Sequence, residues 1–153
     1  MEFAPIVLFV YNRPALTLST LQHLSENKEA AESTLCVYCD GPKENATPEQ
    51  LALVKEAREI VRSRQWCKQV ITLEAVKNKG LATSVIDGVT EVIGKHGKVI
   101  VLEDDLAVSP YFLRYMNDGL TQYDQGEKMI AIHGYLSPNE MPAGYKPSTF
   151  IIH

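Results

Sequence analysis

Three adjacent carboxylates, Glu103, Asp104 and Asp105, directly follow an apolar run in the segment VIVLEDDLAVSP. At an effective dielectric constant of about 20, two like charges about 5 Å apart repel each other by about 3 kcal/mol. A cluster of this kind at the end of a buried strand therefore needs a compensating positive charge. A divalent cation is the obvious candidate, because Mg²⁺ and Mn²⁺ prefer oxygen ligands and are often held by one or two carboxylates together with substrate phosphates.

The order of the three acids predicts different directions for their side chains. Neighbouring residues of an extended chain point to opposite faces. We therefore expect Glu103 and Asp105 to share a face, with Asp105 reaching the metal and Asp104 pointing elsewhere, toward a hydroxyl. The alternative is a solvated acidic strand end, or favourable negative charge before the helix that begins near Ser109.

Polar residues also follow the other strand-like runs, and these are Asn12 and Arg13, then Asp40, then Asn78 with Lys79 and Gly80. Ligands of parallel α/β sheets bind beyond the carboxyl ends of the strands, so the sequence predicts one site at this edge. Arg13 and Lys79 are suited to phosphate oxygens, with surface salt bridges as the alternative. Asp40 is suited to a base or ribose, or to the turn that it forms before glycine.

The fold prediction depends on the alternation of strand-like and helix-like segments. The strand-like runs are 5–11, 34–39, 69–74, 98–102 and 129–135, and helical spacing begins after Asn12, Thr47, Gly80 and Ser109. Continuous apolar strands separated by helices predict a mostly parallel sheet with helices on both faces, an α/β three-layer sandwich. Residues 136–153 contain three prolines within the stretch 138–147 and are expected to form a loop-rich tail.

Composition excludes several classes of function. The chain has 153 residues, which fits one domain, and its net charge of −4 with scattered Lys and Arg argues against a nucleic-acid partner. The apolar runs are too short to cross a bilayer, so no transmembrane segment is expected. Three cysteines favour a reducing, cytoplasmic location. Cys36 and Cys39 should face opposite sides of a strand and act as small apolar residues rather than as a zinc or redox pair.

Four motifs occur in order, VYNRP, YCDGP, NKGLATSVIDGV and VIVLEDDLAVSPYFLRYMN. Together they resemble glycosyltransferases of the GT-A fold, especially family 2-like sugar transferases and the N-acetylglucosaminyltransferase of complex N-glycan assembly. In that group a strand leads into an E-D-D form of the D-x-D motif. The resemblance implies a Rossmann-like nucleotide-diphospho-sugar transferase fold, with residues 1–135 as the donor-binding domain and 136–153 leading into a missing acceptor-binding part.

The resemblance also implies ligands and residue roles. It implies a nucleotide-diphosphate-sugar donor, with a UDP-sugar expected, Mn²⁺ or Mg²⁺ as cofactor, and a carbohydrate or glycoconjugate acceptor. It implies that Asp105 is the metal ligand. The residues that it implies for substrate binding are Asn12, Arg13, Asp40, Asn78, Lys79, Gly80, Glu103 and Asp104.

The resemblance implies that the general base lies beyond the fifth strand, so it is expected beyond residue 153, after the apolar, strand-like run STFIIH. A non-catalytic nucleotide-sugar-binding module is therefore an alternative. A nucleotidyltransferase is a further one, although VYNRPALT lacks the glycine-rich loop that such enzymes usually carry after the first strand. A receiver domain would need paired acids where Asn12 and Arg13 stand.

Overall fold

The computed structural model describes residues 3–123 and 131–134. Strands and helices alternate along the chain: β1 Ile6–Val10, α1 Pro14–Ser25, a 3-10 turn Lys28–Glu32, β2 Thr34–Cys39, α2 Pro48–Arg62, β3 Gln69–Glu74, α3 Leu81–His96, β4 Ile100–Glu103 and α4 Phe112–Gln122. The strands form a four-stranded sheet in the order β3-β2-β1-β4, and its three pairings are parallel. The predicted α/β class is confirmed, with a Rossmann-like layout.

Helices cover both faces of the sheet, as the uninterrupted apolar strands predict. On one face Leu8 and Leu102 pack with residues of α1, α2 and α4. On the other face Val7 and Phe9 pack with Val92 of α3. All five residues of β1 are buried, because this strand lies between β2 and β4 and has helices on both sides. The three-layer arrangement is therefore confirmed.

The start of helix α2 is fixed by a local sequence motif, a capping box formed by Thr47 and Gln50. The hydroxyl of Thr47 accepts a hydrogen bond from the backbone N–H of Gln50, and the Gln50 side chain accepts from the Thr47 N–H. This capping box satisfies two groups that the first turn leaves unpaired. Ala57 and Val61 are then buried on the sheet, whereas Leu51, which lies at helical spacing from them in the sequence, is exposed.

Helix α3 buries few of its apolar side chains. Val92 is buried, whereas Leu81 and Ile93 are exposed. Among the described residues α3 is the one helix on its face of the sheet, so its flanks have no neighbouring helix to pack against. The helix ends at Gly97, whose φ of 72° is a left-handed conformation that glycine adopts without strain.

The predicted fifth strand at 129–135 is described only for residues 131–134, which are not in a strand. The remainder of that run and the predicted tail at 136–153 lie outside the described residues. In the described part of the chain, no helix combines the length and the apolar character needed to cross a membrane. Cys36 and Cys39 belong to the clusters on opposite faces of the sheet, as predicted, and all three cysteines are free thiols.

Candidate functional site

A cleft of about 330 Å³ lies at the carboxyl ends of β1, β2 and β4, beside the start of α3. Its volume falls at the lower end of the range, about 300–1,000 Å³, that is typical of small-molecule sites. Six residues predicted for the site line this cleft, and they are Asn12, Arg13, Asp40, Asn78, Gly80 and Asp104. The expectation that polar strand ends converge at one edge therefore agrees with the structure.

The other three predicted residues lie around the cleft rather than in its wall. Lys79 lines a smaller adjoining cavity of about 210 Å³, and its ammonium lies 3.6 Å from a carboxylate oxygen of Asp87. Glu103 is exposed at the end of β4, opposite Phe9 in the sheet register. Asp105 is exposed and reaches the cleft through its contact with Arg13.

Asp40 organises the loops on one side of the cleft. Its Oδ1 accepts hydrogen bonds from the backbone N–H groups of Gly41 and Lys79, both at 2.8 Å. Its Oδ2 accepts from the side-chain amide of Asn78 at 2.9 Å and from the Gly80 N–H at 3.0 Å. Four donors converge on one carboxylate, so Asp40 ties the end of β2 to the loop between β3 and α3. Its predicted contact with a base or ribose stays a prediction.

Two further features hold that loop in place. The guanidinium of Arg58 donates from Nη2 to the backbone oxygens of Asp40 at 3.0 Å and Ala75 at 2.7 Å. A Cβ atom placed on Gly41 would lie 2.4 Å from the carbonyl carbon of Lys77, so only glycine fits at this crossing. The geometry of the loop is therefore set by Arg58 of α2 and by the residues that follow β2 and β3.

Arg13 bridges two of the three acids. Its Nη2 forms an ion pair with Oδ1 of Asp104, and its Nη1 donates to Oδ2 of Asp105 at 3.0 Å. Arg13 precedes α1, where the positive end of the helix disfavours a cation, so the two carboxylates also stabilise this placement. In this structure the guanidinium supplies the compensating charge that the sequence led us to assign to a metal.

The predicted alternation of the three acids agrees with their burial, but it does not predict which side chains share a contact. Glu103 and Asp105 are exposed and Asp104 is buried, which is the predicted alternation. However, β4 ends at Glu103 and the chain turns at the next two residues, so the extended geometry does not continue. Asp104 and Asp105 therefore meet on the same guanidinium rather than pointing apart.

Asp104 is buried, whereas Asp105 is exposed. Asp104 is 2% exposed, and burial raises the pKa of its carboxyl, an effect that the hydrogen bond and charge of Arg13 and the N–H of Tyr11 partly offset. The bond to Asp104 in turn raises the pKa of Arg13. Among the described residues Oδ2 of Asp104 has no hydrogen-bond partner. A buried carboxylate oxygen without a partner is costly, and this one belongs to a residue in the cleft wall.

These observations bear on the predicted cation. In residues 3–123 and 131–134, no three His, Cys, Asp or Glu side chains are grouped so that they could hold a metal ion. Two carboxylates, the unpartnered Oδ2 of Asp104 and the exposed Asp105, do fit an ion that shares its coordination with a diphosphate. The donor set therefore fits a metal held jointly with a ligand, whereas the side chains alone would hold such an ion only weakly.

Sequence reasoning missed several cleft residues. The rings of Phe9 and Tyr38 stack with centroids 5.6 Å apart and form an apolar wall, and Lys43 and Ser84 add polar groups. Strand alternation places Tyr38 on the same side of β2 as Asp40, and this signal was available in the sequence. The contribution of Lys43 was not, because it depends on the path of the loop after Gly41.

Comparison with known proteins adds no assignment, since no protein-family model and no curated protein sequence matches the chain. The class that the fold defines is an α/β protein with a parallel, Rossmann-like sheet and a polar cleft at its carboxyl edge.

Proposed function

We propose that the chain is the donor-binding part of a GT-A-type glycosyltransferase and that the cleft binds a nucleotide diphosphate sugar. The observation that carries the proposal is the joint presence of cationic, acidic and aromatic groups in one cleft at the carboxyl edge of a parallel sheet. Arg13 and Asp104 line it together with the ring of Tyr38. Nucleotides bind at this edge in open α/β sheets.

The phosphate-binding part of the proposal is supported by charge and by helix placement. Arg13 and Lys43 both line the cleft and supply positive charge suited to phosphate oxygens. Helices α1 and α3 begin at Pro14 and Leu81, directly after cleft residues, so their positive ends lie at the same edge. Helix N-termini favour phosphate, because their first N–H groups lack partners within the helix.

The nucleoside part is supported by the wall of the cleft. The stacked pair Phe9 and Tyr38 offers an apolar surface to a base. Asn12, Asn78 and Ser84 line the cleft and carry groups that hydrogen-bond to a base or ribose. The structured loop at Asn78 keeps its backbone fixed through Asp40, so a ligand would meet a preformed wall.

The acidic edge would hold the cation of the donor. Asp105 is exposed beside Arg13, and Asp104, which lines the cleft, has one buried carboxylate oxygen without a partner among the described residues. A bound Mn²⁺ or Mg²⁺ would neutralise the charge that develops on a departing diphosphate. The residues of this chain would bind and orient the donor, and the sugar acceptor would be a carbohydrate or glycoconjugate.

A second candidate is a nucleotide-sugar-binding module without catalysis. Asp40, Asp104 and Asp105 are each engaged by donors of the chain itself, which makes them poor general bases. This observation favours binding over turnover for the described residues. It leaves the ligand class of the cleft unchanged.

A calorimetric series tests the proposal by varying one ligand part at a time. Uridine, UMP, UDP, a UDP-sugar and UTP are titrated into the chain with Mn²⁺ present, and GDP and dTDP test the base. The proposal predicts that UDP binds at least about tenfold more tightly than UMP, because the second phosphate adds charged contacts and shares the cation. Equal affinities for uridine and UDP would contradict it.

The same series separates the alternatives. A nucleotidyltransferase should prefer UTP and release pyrophosphate when a sugar 1-phosphate is added. A glycosyltransferase donor site should bind the UDP-sugar and release no pyrophosphate. A variant with Asp104→Asn should weaken UDP binding in Mn²⁺, whereas Asp118→Asn, an exposed carboxylate on α4, should not.

A further inference from the structure

The acidic edge already holds a cation, and that cation is part of the chain. Arg13 contacts both carboxylates that would serve a metal, through Nη2 to Asp104 and Nη1 to Asp105. Its side chain is 45% exposed, so it is free to move toward the cleft that it lines. The side chain of Asp104, by contrast, is 3% exposed and fixed at the end of β4.

We propose that Arg13 competes with the metal ion for Asp104 and Asp105, and that a diphosphate releases this competition by drawing the guanidinium onto its own oxygens. This inference rests on the proposed function for the identity of the diphosphate, but not for the competition itself. In the absence of metal, Arg13 would neutralise the charge of Asp104 and Asp105. The competition also favours joint binding of metal and diphosphate, because the metal gains full access to both carboxylates only when the diphosphate draws the guanidinium away.

The charges of the edge support an exchange rather than simultaneous occupancy. A metal bound to Asp104 and Asp105 would lie beside the guanidinium that contacts both carboxylates, and the two positive charges would repel each other. A planar guanidinium matches carboxylate and phosphate oxygens equally well, so it can pass from one to the other. Oδ2 of Asp104 is buried and has no partner among the described residues, so it would become a metal ligand only after the guanidinium has moved away.

Arg13→Ala should have opposite effects on the two ligands. Freed from the guanidinium, the two carboxylates should bind Mn²⁺ alone about tenfold more tightly than in the unmodified chain. UDP binding should become about tenfold weaker, because a phosphate contact is lost. Free Mn²⁺ is measured by electron paramagnetic resonance without nucleotide, and UDP affinity is measured by calorimetry at saturating Mn²⁺.

Matched variants keep the test independent of folding. Arg13→Lys retains the charge but lacks the planar fork of donors of the guanidinium, so it should hold the two carboxylates less firmly and its gain in Mn²⁺ affinity should be intermediate. Arg114→Ala removes an arginine paired with Asp118 on the surface of α4 and should change neither affinity. Adding Asp105→Ala to Arg13→Ala should cancel the gain, because one of the two carboxylates that the arginine released is then missing. Circular dichroism identifies any variant that does not fold, and the lysine variant then carries the test.

The outcomes separate this inference from the proposed function. Mn²⁺ affinity that is unchanged in both Arg13 variants would overturn the competition, even if UDP binds as proposed. A gain in Mn²⁺ affinity together with no binding of any nucleotide would support the competition and contradict the proposed function. Loss of Mn²⁺ binding in Arg13→Lys would overturn the competition, since it would mean that Arg13 supports the metal.

Discussion

The side-chain amide of Asn78 donates a hydrogen bond to Oδ2 of Asp40 at 2.9 Å, and it also donates to the backbone oxygen of Gly41 at 2.9 Å. These bonds join the loop after β3 to the end of β2, although 38 residues separate Asp40 from Asn78. The wall of the cleft is therefore held by a polar network, and the network can be tested without any ligand.

Asp40→Asn should destabilise the fold. An amide can accept at only one of its two ends, so at least one donor of the loop would lose its acceptor and meet an N–H group instead. We expect a loss of about 1–3 kcal/mol in the free energy of unfolding, measured by urea denaturation. Asp87→Asn, an exposed carboxylate on α3, is the control and should cost less than about 0.5 kcal/mol. Equal effects of the two changes would contradict the organising role of Asp40.

Gly41→Ala should be more harmful than its size suggests. The added Cβ would lie within 2.7 Å of three backbone atoms of Lys77, which cannot move without shifting the loop. We expect a loss of about 2–3 kcal/mol in thermal or urea unfolding. Gly94→Ala makes the same change within α3, where no described atom lies within 4 Å of the added Cβ, and should stabilise by about 0.5–1 kcal/mol. If Gly41→Ala left the free energy of unfolding unchanged, the backbone of Lys77 would not lie as close to Gly41 as the structure has it.

Asn27→Ala tests how the segment after the acidic trio is held. Asn27 is buried, donates to the backbone oxygens of His23 and Ser109 at 3.1 Å each, and accepts from the Leu113 N–H at 2.9 Å. It therefore caps α4 from a distant part of the chain. We expect a loss of about 2–3 kcal/mol, because three hydrogen bonds are lost and the buried Leu113 N–H is left without its acceptor.

The control for Asn27 is Asn45→Ala, which changes an exposed asparagine in the loop before α2 and should cost less than about 0.5 kcal/mol. Both variants are measured by urea denaturation at the same pH. If Asn27→Ala were as mild as Asn45→Ala, solvent would be replacing the three bonds, and the placement of α4 would not depend on Asn27.

The three cysteines should differ in reactivity. Burial raises the pKa of the Cys39 and Cys67 thiols to about 12, so at pH 8 only about one molecule in ten thousand carries the reactive thiolate. Cys36 is less buried, although burial raises its pKa as well. With a chromogenic thiol reagent we expect Cys36 to react first and the other two to react only on unfolding. Cys36→Ser should remove the first phase, and a first phase that persists would contradict this order.

The sequence predicted the strands well because their signal is local. The runs 34–39 and 69–74 coincide with β2 and β3, and the helical spacing predicted after Thr47 forms α2. A short, continuous apolar run bounded by turn residues indicates a buried strand, and this signal depends only on neighbouring residues. The convergence of Asn12, Asp40 and Asp104 then follows from the parallel sheet alone.

The contacts that the sequence did not reveal join distant residues. The ion pair between Arg13 and Asp104 spans 91 residues, and its geometry depends on the turn that ends β4. Alternation along an extended chain could not predict that turn, so it placed Asp104 away from Asp105. The role of Asn27 was missed for the same reason, since its partners at Ser109 and Leu113 are close only in the folded chain.

The proposal that a divalent cation held by Asp105 contributes to UDP binding has one direct test. The affinity of UDP is measured by calorimetry with Mn²⁺ and with a chelator, in the unmodified chain and in Asp105→Ala. The account predicts that UDP binds more tightly with Mn²⁺, by about tenfold or more, and that Asp105→Ala removes this difference. Equal UDP affinity with Mn²⁺ and with chelator in the unmodified chain would contradict it.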